Sequence, residues 1–304
     1  MRAGGPAEWL ARAKSADHLA GIAAEAQENG LHATYLGWGS NVLPSDYGVP
    51  GLVVVNEASS ISIDGTHVVA ETGCGFQELF LKTAQAGLGG LEFAVGIPGT
   101  LGGALVSNAG AYRSNVSEFL TAMEIVEAGR RRWEDPSWMK FSYRDSILRS
   151  PGGPDCALLR VRMSMPVRSR KAVYDEARDY QRQRISKQPP SASAGSFFKN
   201  VEDRALADRL PNLPARLKEA GVVPAGYLIE HAGLMGFRVG GAMFARRHAN
   251  FIVNIGGATA TEIRTLAEFG KSKVFEQHGV TLEEEVLYLG DWSNWSVYRE
   301  TGQP

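Results

Sequence analysis

Two segments rich in small residues are the parts of this chain best suited to hold a large ligand. Gly37-Trp38-Gly39-Ser40-Asn41 follows a predicted strand, and residues 96–112 are dense in glycine and alanine. Successive backbone N–H groups in a tight turn form a concave site for an anion. A stretch with few side chains lets a flat ligand or another backbone approach closely. Together the segments predict a site for a pyrophosphate and an extended cofactor, while a plain tight turn and close helix–sheet packing are the alternatives.

The first segment does not fit the dinucleotide-binding motif of a Rossmann fold. That motif places a helix directly after the glycine loop. Here Pro44, Gly48, Pro50 and Gly51 follow the loop, and then comes a strand. The Rossmann interpretation is therefore rejected.

Other residues able to take part in catalysis are scattered along the chain. Arg144 and Asp145 adjoin, and taken alone such a pair is typical of a structural salt bridge. Ser196 taken alone is typical of a turn or a cap, and the triplet 283–285 of glutamates is typical of a solvated face. His248 has no partner at metal-ligand spacing, so we predict no metal site and read it as a structural histidine.

The composition excludes several classes of protein. The 304 residues are 44% apolar and 21% charged, with a formal net charge of −1. No global field therefore attracts nucleic acid or an anionic membrane, and an anionic ligand must be held by local groups. The first residues lack the apolar core that a signal peptide needs, so we expect none, and we find no apolar run of about 18 residues. Cys74 and Cys156 lack CxxC spacing, and we expect buried thiols in the cytoplasm.

The elements that must position these residues alternate along the chain. Asp64-Gly65 predicts a hairpin with a type I′ turn, and Thr259 with Glu262 has the spacing of a capping box. We predict helices at 15–30, 77–86, 171–187, 225–232 and 259–278. We predict strands at 32–36, 51–55, 61–63, 66–71, 122–127, 157–163, 251–254 and 286–289.

Seven stretches, in family order, resemble the UDP-N-acetylenolpyruvoylglucosamine reductases, the flavoenzymes that complete UDP-N-acetylmuramate. The chain has no extra substrate-loop insertion and so resembles the shorter, type II branch. The stretches are YLGWGSN (35–41), GLEFAVGIPGTLGGALVSNAGAY (90–112), FSYRDSIL (141–148), SAGSFFKN (193–200), AGYLIEHAGLMGFRVGGA (225–242), RHANFIVNIGGATA (247–260) and LEEEVLYLG (282–290).

The resemblance implies an α+β fold. A two-lobed FAD-binding domain of the vanillyl-alcohol-oxidase or PCMH type would span residues 1–168, followed by a connecting helix at 169–190. A smaller α/β substrate-binding domain would span 191–295, with a tail at 296–304. The resemblance also implies FAD and NADPH as cofactors and a UDP-amino-sugar as substrate. We expect no nucleic-acid or membrane partner, and a monomer.

The resemblance also names the residues of the site. The residues implied to bind FAD are Gly37, Trp38, Gly39, Ser40, Asn41 and Val42 in the first segment, and Gly96, Ile97, Pro98, Gly99, Thr100, Gly102, Gly103, Asn108, Ala109 and Gly110 in the second. The residues implied to contact the substrate are Tyr143, Lys187, Lys199 and Asn200.

Three further residues match the family's catalytic groups. Hydride addition to a double bond conjugated to a carboxylate moves negative charge onto that carboxylate, so a fixed cation and a proton donor are needed. Arg144 matches the family's arginine, whose fork of donors fits a carboxylate. Ser196 matches the proton donor, and Glu285 matches a glutamate that stabilises or protonates the intermediate.

Trp38 and Arg113 depart from the family, which usually has glycine at both positions. If position 38 requires a positive φ, tryptophan costs about 1–2 kcal/mol there. We expect its indole to lie outward or against the flavin domain. Two other functions stay open: a flavin oxidase of the same fold acting on an alcohol or sugar, and a non-catalytic nucleotide-sugar-binding protein.

Overall fold

The computed structural model describes residues 1–150 and 152–295, in two compact units that are interleaved along the sequence. The central unit contains Ala7–Gly39 and Pro50–Ser186. The C-terminal unit contains Met1–Pro6, Ser40–Val49 and the chain from Lys187 onward. The domain bounds expected from the sequence stay a prediction, and the expected tail at 296–304 lies outside the described residues.

The described residues form eight α-helices and eighteen strands, many of them short. The helices are α1 (Ala16–Glu28), α2 (Phe76–Gln85), α3 (Leu101–Val106), α4 (Arg170–Lys187), α5 (Arg204–Arg209), α6 (Ala215–Ala220), α7 (Ala225–His231) and α8 (Ala260–His278). The strands are β1 (Ala7–Ala13), β2 (Ala33–Leu36), β3 (Val42–Pro44), β4 (Val49–Asn56), β5 (Ile61–Asp64), β6 (His67–Glu71), β7 (Gly110–Ala111), β8 (Ser114–Asn115), β9 (Leu120–Glu127), β10 (Arg130–Glu134), β11 (Cys156–Ser164), β12 (Ala192–Ser193), β13 (Val201–Glu202), β14 (Val222–Val223), β15 (Arg238–Val239), β16 (Ala242–Phe244), β17 (Ile252–Asn254) and β18 (Leu287–Leu289).

The central unit contains two larger sheets in addition to the short β7–β8 pair. Five antiparallel strands are ordered β10-β9-β11-β6-β5, and three further strands are ordered β1-β4-β2, with β2 parallel to β4. Helix α1 begins where the Ser15 side chain accepts a hydrogen bond from the His18 N–H, 3.1 Å away. It ends before Gly30, which has a φ of 64°. Leu19 and other residues on one face of α1 pack in a core that includes Val54 of β4, and the predicted helix is confirmed.

The predicted hairpin is confirmed, but the prediction of a type I′ turn is wrong. Strands β5 and β6 pair antiparallel, with Asp64 opposite His67. Gly65 has a φ of 58°, whereas Thr66 does not have a positive φ. A type I′ turn requires positive φ at both central residues. The Asp-Gly pair therefore placed the turn, but Gly65 is its first central residue rather than its second.

The second small-residue segment contains the short helix α3 and leads into the β7–β8 hairpin, neither of which was predicted from the sequence. Helix α3 begins after Thr100, whose hydroxyl accepts a hydrogen bond from the Gly103 N–H at 3.3 Å. Strands β7 and β8 then pair across Tyr112 and Arg113, which have φ values of 56° and 70°. Two positive φ values at the centre of a two-residue turn match a type I′ hairpin.

The C-terminal unit is built on a four-stranded antiparallel sheet ordered β12-β17-β16-β15. Helix α8 packs on this sheet, and a Cβ on its Gly270 would come within 2.6 Å of the Phe244 ring. Thr259 and Glu262 form the predicted capping box, and Gly279 ends the helix with a φ of 70°. In the same unit β3 runs parallel to β18, with Val42 opposite Leu287.

Asp46 adds a second cap to helix α8. Its two carboxylate oxygens accept hydrogen bonds from the N–H groups of Ala260 (2.8 Å) and Thr261 (2.7 Å). Burial acts to raise the pKa of Asp46, but the hydrogen bonds from Thr261 and Ala260 outweigh it and hold the pKa below its ordinary value. The excursion Ser40–Val49 is thus tied to α8 by a charged group.

Two further properties bear on function. Cys74 and Cys156 are free, buried thiols, as predicted, and burial raises the pKa of each to about 12. No helix within the described residues is both long and apolar enough to cross a bilayer.

We predict that Asp46→Ala lowers the free energy of unfolding at pH 7 by about 1 kcal/mol, the typical cost of removing a helix cap. Because the folded pKa is lowered, this stabilisation is complete above the ordinary pKa of about 3.9 and is lost as the pH falls through the folded value. Urea unfolding over a pH series checks this. Asp208→Ala, at an exposed aspartate in α5, is the control, and a difference for Asp46→Ala that did not shrink in acid would contradict it.

Candidate active site

The first small-residue segment is divided between the two units. Gly37, Trp38 and Gly39 belong to the central unit, whereas Ser40, Asn41 and Val42 belong to the C-terminal unit. A Cβ on Gly37 would lie only 2.2 Å from the Thr100 hydroxyl oxygen. Position 37 therefore requires glycine because the second segment packs against it.

Trp38 does not occupy a strained backbone position. Its φ is not positive, whereas Gly39 has a φ of 66°. The indole is 63% exposed, and its edge would lie 3.1 Å from a Cβ on Gly75 in the central unit. The suspected strain at Trp38 is therefore wrong, while the outward position expected for its side chain is confirmed. Arg113, the other departure, does have the positive φ that a glycine would accommodate.

Several glycines of the second segment are required by close packing. A Cβ on Gly102 would come within 3.0 Å of the Thr72 carbonyl oxygen, and one on Gly110 within 2.5 Å of that of Ser114. Gly96 and Gly99 instead have φ values of 74° and 130°. The Gly102 N–H donates to the Thr72 carbonyl at 2.7 Å. Close packing, the alternative raised by the sequence, thus accounts for part of the small-residue content.

Asn108 gives the second segment an acceptor suited to a ligand. It is 8% exposed, with a φ of 42°, and its amide nitrogen donates to the Ser142 carbonyl at 3.0 Å. Its side-chain oxygen is buried and accepts no hydrogen bond from the described residues. A buried acceptor without a donor is costly, and an N–H or O–H of a bound cofactor would satisfy it. Residues 96–110 contain no charged side chain, so this segment fits a flat, largely uncharged ring.

Arg144 lies at the centre of a tight turn held against the second segment. Ser142 and Asp145 exchange backbone hydrogen bonds of 3.2 and 3.3 Å, leaving Tyr143 and Arg144 between them. Arg144 has a φ of 55°, a strained value for a residue with a side chain. Its Nη2 donates to the Gly110 carbonyl at 2.5 Å, and its guanidinium carbon lies 5.3 Å from the centre of the Tyr143 ring. The turn therefore places Arg144 beside the predicted FAD segment.

Ser196 and Glu285 are brought together in the C-terminal unit by main-chain hydrogen bonds. The Glu285 N–H donates to the Phe197 carbonyl at 2.8 Å, and the Lys199 N–H donates to the Glu283 carbonyl at 2.8 Å. The Asn41 side chain donates to the Glu285 carbonyl at 3.0 Å. Predicted cofactor, catalytic and substrate residues thus share one small region.

Asn250, which was not predicted as a site residue, fixes the segment that carries Ser196. Its side-chain oxygen accepts from the Phe198 N–H at 3.0 Å, and its amide nitrogen donates to the Phe198 carbonyl at 2.8 Å. Its own carbonyl accepts from the Phe197 N–H at 2.7 Å. Asn250 is 3% exposed. Only its place in the stretch 247–260 could have marked it.

The neighbouring charged residues have partners of their own. The buried Lys199 ammonium lies 2.5 Å from Glu283, and Glu284 lies 2.9 Å from Lys271. The Asn200 side chain accepts from the Ala225 N–H at 3.3 Å. Glu283 and Glu284 thus pair with lysines, and the backbone of Glu285 is held by the Phe197 carbonyl and the Asn41 side chain.

His248 lies in the same unit as Lys187. Its Nδ1 is buried with no hydrogen bond to the described residues, and its ring packs edge-on against Phe251. Burial lowers the pKa of His248, and the positive charge of Lys187 lowers it further, so the neutral ring is favoured. Across residues 1–150 and 152–295, no three or more His, Cys, Asp or Glu side chains are grouped to hold a metal ion.

Arg144 belongs to the central unit, whereas Ser196 and Glu285 belong to the C-terminal unit. The structure thus supplies two partial sites. One joins Arg144 and Tyr143 to the second small-residue segment. The other joins Ser196, Lys199 and Glu285 to Asn41. The predicted meeting of all three catalytic groups over a flavin stays a prediction.

Comparison with known proteins gives matches over both units. A family model described as UDP-N-acetylenolpyruvoylglucosamine reductase, C-terminal domain, matches residues 187–289, and an FAD binding domain model matches residues 7–130. Proteins named UDP-N-acetylenolpyruvoylglucosamine reductase from Caldicellulosiruptor bescii and Thermotoga petrophila are 36% and 38% identical. These matches cover 96% and 86% of this chain and 88% and 85% of theirs.

A solved structure agrees with these matches. The crystal structure of UDP-N-acetylenolpyruvylglucosamine reductase from Thermus caldophilus is 31% identical, with a TM-score of 0.73. The match covers 92% of this chain and 91% of that one. The α+β fold with an FAD-binding domain and a substrate domain, expected from the sequence, is confirmed.

We predict opposite effects for glycine at the two positions that depart from the family. Arg113→Gly relieves a positive φ costing about 1–2 kcal/mol and adds a smaller chain-entropy cost, so the free energy of unfolding rises slightly. Trp38→Gly relieves no strain and lowers it by about 0.5–1 kcal/mol. Urea unfolding of both variants checks this. A Trp38→Gly protein more stable than the parent would show that position 38 is strained after all.

We predict that Asn250→Ala lowers the free energy of unfolding by about 2–3 kcal/mol, because it leaves the buried N–H and C=O of Phe198 without partners. Thermal and urea unfolding measure the loss. Asn294→Ala, at an exposed asparagine, is the control and should change stability by less than about 0.5 kcal/mol. Equal stabilities for the two variants would mean that Asn250 does not hold the Ser196 segment.

Proposed function

The chain belongs to the family of UDP-N-acetylenolpyruvoylglucosamine reductases, and we propose that Arg144, Ser196 and Glu285 carry the reaction in it. The protein is an FAD-dependent oxidoreductase that uses NADPH to convert UDP-N-acetylglucosamine enolpyruvate to UDP-N-acetylmuramate for peptidoglycan precursors. No observation favours the oxidase or the non-catalytic alternative. The observation that best supports the residue assignment is the hydrogen bond from the Glu285 N–H to the Phe197 carbonyl, next to Ser196.

FAD, when bound, supplies the hydride chemistry by accepting hydride from NADPH and passing it to the enolpyruvyl double bond. We assign its binding to the two small-residue segments, residues 37–42 and 96–110. The buried, unsatisfied oxygen of Asn108 and the absence of charged side chains between 96 and 110 support this assignment. Gly37 and Thr100 pack together, so residues 37–39 lie against the second segment within the central unit.

Arg144 is assigned to the substrate carboxylate. A guanidinium donates two parallel hydrogen bonds to a carboxylate, and it remains charged at any working pH. As hydride adds to the terminal carbon of the double bond, negative charge grows on the carboxylate, and a fixed cation stabilises that charge. The strained turn and the hydrogen bond to Gly110 limit the movement of the Arg144 side chain, which is the requirement for such preorganisation.

Ser196 is assigned as the donor of the proton to the carbon next to the carboxylate. A serine hydroxyl is a weak acid, so positive charge must stabilise its oxygen as the proton leaves. The buried ammonium of Lys199 lies three residues further along the same segment. The carboxyl group of Glu285 is assigned to stabilise or protonate the intermediate. Tyr143, Lys187, Lys199 and Asn200 are assigned as substrate contacts.

We further propose that the protein acts as a cytoplasmic monomer. Its two cysteines are buried, unpaired thiols, which is the state expected in a reducing compartment.

We predict that Ser196→Ala lowers kcat by about 10²–10⁴-fold, the range typical for loss of a general acid. FAD content and the rate of flavin reduction by NADPH should stay at parent values, because neither step needs this proton. Stopped-flow spectroscopy of the two half-reactions separates the effects.

Ser191→Ala, at an exposed serine five residues earlier, is the matched control and should keep full activity. If Ser196→Ala also kept full turnover, the proton donor would be another group. If the parent protein bound FAD but did not reduce the enolpyruvyl substrate, the proposed function itself would be wrong.

A further inference from the structure

Arg184 lies in the last turn of α4, within the central unit. A cation is favoured there by the helix dipole, so the position alone indicates no function. Its surroundings are unusual for a helix end. The Arg184 Nη2 donates to the Phe93 carbonyl at 3.2 Å, and its Cδ would lie 3.1 Å from a Cβ on Gly96. The side chain therefore lies against the start of the second small-residue segment.

An aromatic stack holds Arg184 in this position. Tyr112 and Tyr180 are parallel, with ring centres 3.7 Å apart, and the Tyr112 hydroxyl donates to the Tyr180 carbonyl at 3.3 Å. The Arg184 guanidinium carbon lies 5.7 Å from the centre of the Tyr112 ring. The Tyr180 hydroxyl donates to Glu176 at 2.7 Å, which in turn pairs with Arg168 at 2.9 Å. The stack joins α4 to the β7–β8 hairpin, and Arg184 lies beside it.

Arg184 lacks the carboxylate partner that comparable arginines have. Arg131 pairs with Glu124 at 2.6 Å, and Arg168 pairs with Glu92 at 2.8 Å. Arg184 forms no such ion pair within the part of the chain that the structure describes, and its Nε is buried without a hydrogen bond. Leaving a buried donor on a charged group unsatisfied is costly.

A second cation, Arg144, lies close enough to act on the charge of Arg184. Burial lowers the pKa of Arg184, and the positive charge of Arg144 lowers it further, while Tyr112 acts in the opposite direction. The two guanidinium groups lie along the same stretch of backbone, because Arg144 donates to the Gly110 carbonyl and Arg184 lies near the Tyr112 ring. An anion bound at Arg184 would offset the cost of burying its guanidinium and would satisfy its Nε–H.

We propose that Arg184 is a second anion-holding guanidinium of the active site, acting beside Arg144 on a delocalised organic anion. The proposal rests on the proposed function, which places FAD on the second segment and the substrate at Arg144. Two anions have the required chemistry: the pyrimidine ring of reduced flavin, which carries negative charge at neutral pH, and the carboxylate of the enolpyruvyl substrate. Planar guanidinium donors match either one.

The test compares Arg184→Gln and Arg184→Lys with Arg182→Gln, the control on the same helix, in the FAD-loaded protein. Arg182 pairs with the exposed Asp179, at 3.5 Å, and its side chain is 73% exposed. Sulfite, which adds to oxidised flavin to give an anionic adduct, probes the flavin without substrate. If the flavin is the anion, Arg184→Gln weakens sulfite binding about tenfold, equivalent to about 30 mV for a two-electron couple.

If the substrate carboxylate is the anion, sulfite binding is unchanged and KM for the enolpyruvyl substrate rises at least tenfold, while the KM for NADPH stays the same. Arg184→Lys keeps the charge but not the fork, so it should recover part of either loss. It also keeps the test usable if the glutamine variant does not fold.

Sulfite binding and KM values equal to those of Arg182→Gln, in both Arg184 variants, would overturn the proposal, even if the melting temperature fell. Failure of the proposed function is recognised separately, because the parent protein would then bind no FAD or would not reduce the substrate.

Discussion

The main-chain hydrogen bonds between residues 197–199 and 283–285 are the constraint on which the site in the C-terminal unit depends. They place Glu285 next to the residue that follows Ser196. Strand β18 continues from Glu285 and pairs with β3, so Asn41 and Val42 reach the same place. Because backbone groups make most of these contacts, the fold sets the relative position of the Ser196 and Glu285 backbones. Asn250 is the side chain that completes this arrangement, because it satisfies both polar groups of the buried Phe198 backbone.

The central unit positions its part of the site by close packing and strain. Positions 37 and 110 require glycine because neighbouring protein atoms leave no space for a Cβ. Asn108 and Arg144 have positive φ values that neighbouring hydrogen bonds maintain. The packing and ligand-binding interpretations of the small-residue segments are thus compatible. Gly37 lets the first segment approach Thr100 of the second, and Asn108 leaves a buried acceptor for a ligand.

Features governed by neighbouring residues could be predicted from the sequence. Ser15, Thr259 and Gly279 mark helix ends through local hydrogen bonds and backbone angles, and their helices are confirmed. Features that depend on distant partners could not. Asp46 caps a helix that begins more than two hundred residues later. Strand β1 lies at the edge of its sheet, its buried and exposed residues do not alternate clearly, and its Trp9 is 63% exposed.

The candidate site shows the same limit. Arg144 beside Asp145, or a glutamate triplet, resembles many structural patterns, so their roles came from the family resemblance rather than from chemistry readable in the residues. Arg184 lies in no motif, because only the folded chain shows that it is buried and has no carboxylate partner among the described residues.

Reduction of the enolpyruvyl double bond and protonation of the neighbouring carbon can be observed in one experiment. The NADPH-reduced protein is mixed anaerobically with UDP-N-acetylglucosamine enolpyruvate in deuterated water. We expect rapid flavin reoxidation and UDP-N-acetylmuramate with one deuterium next to its carboxylate. Flavin that stayed reduced until oxygen was admitted would show that this chain does not catalyse the reaction.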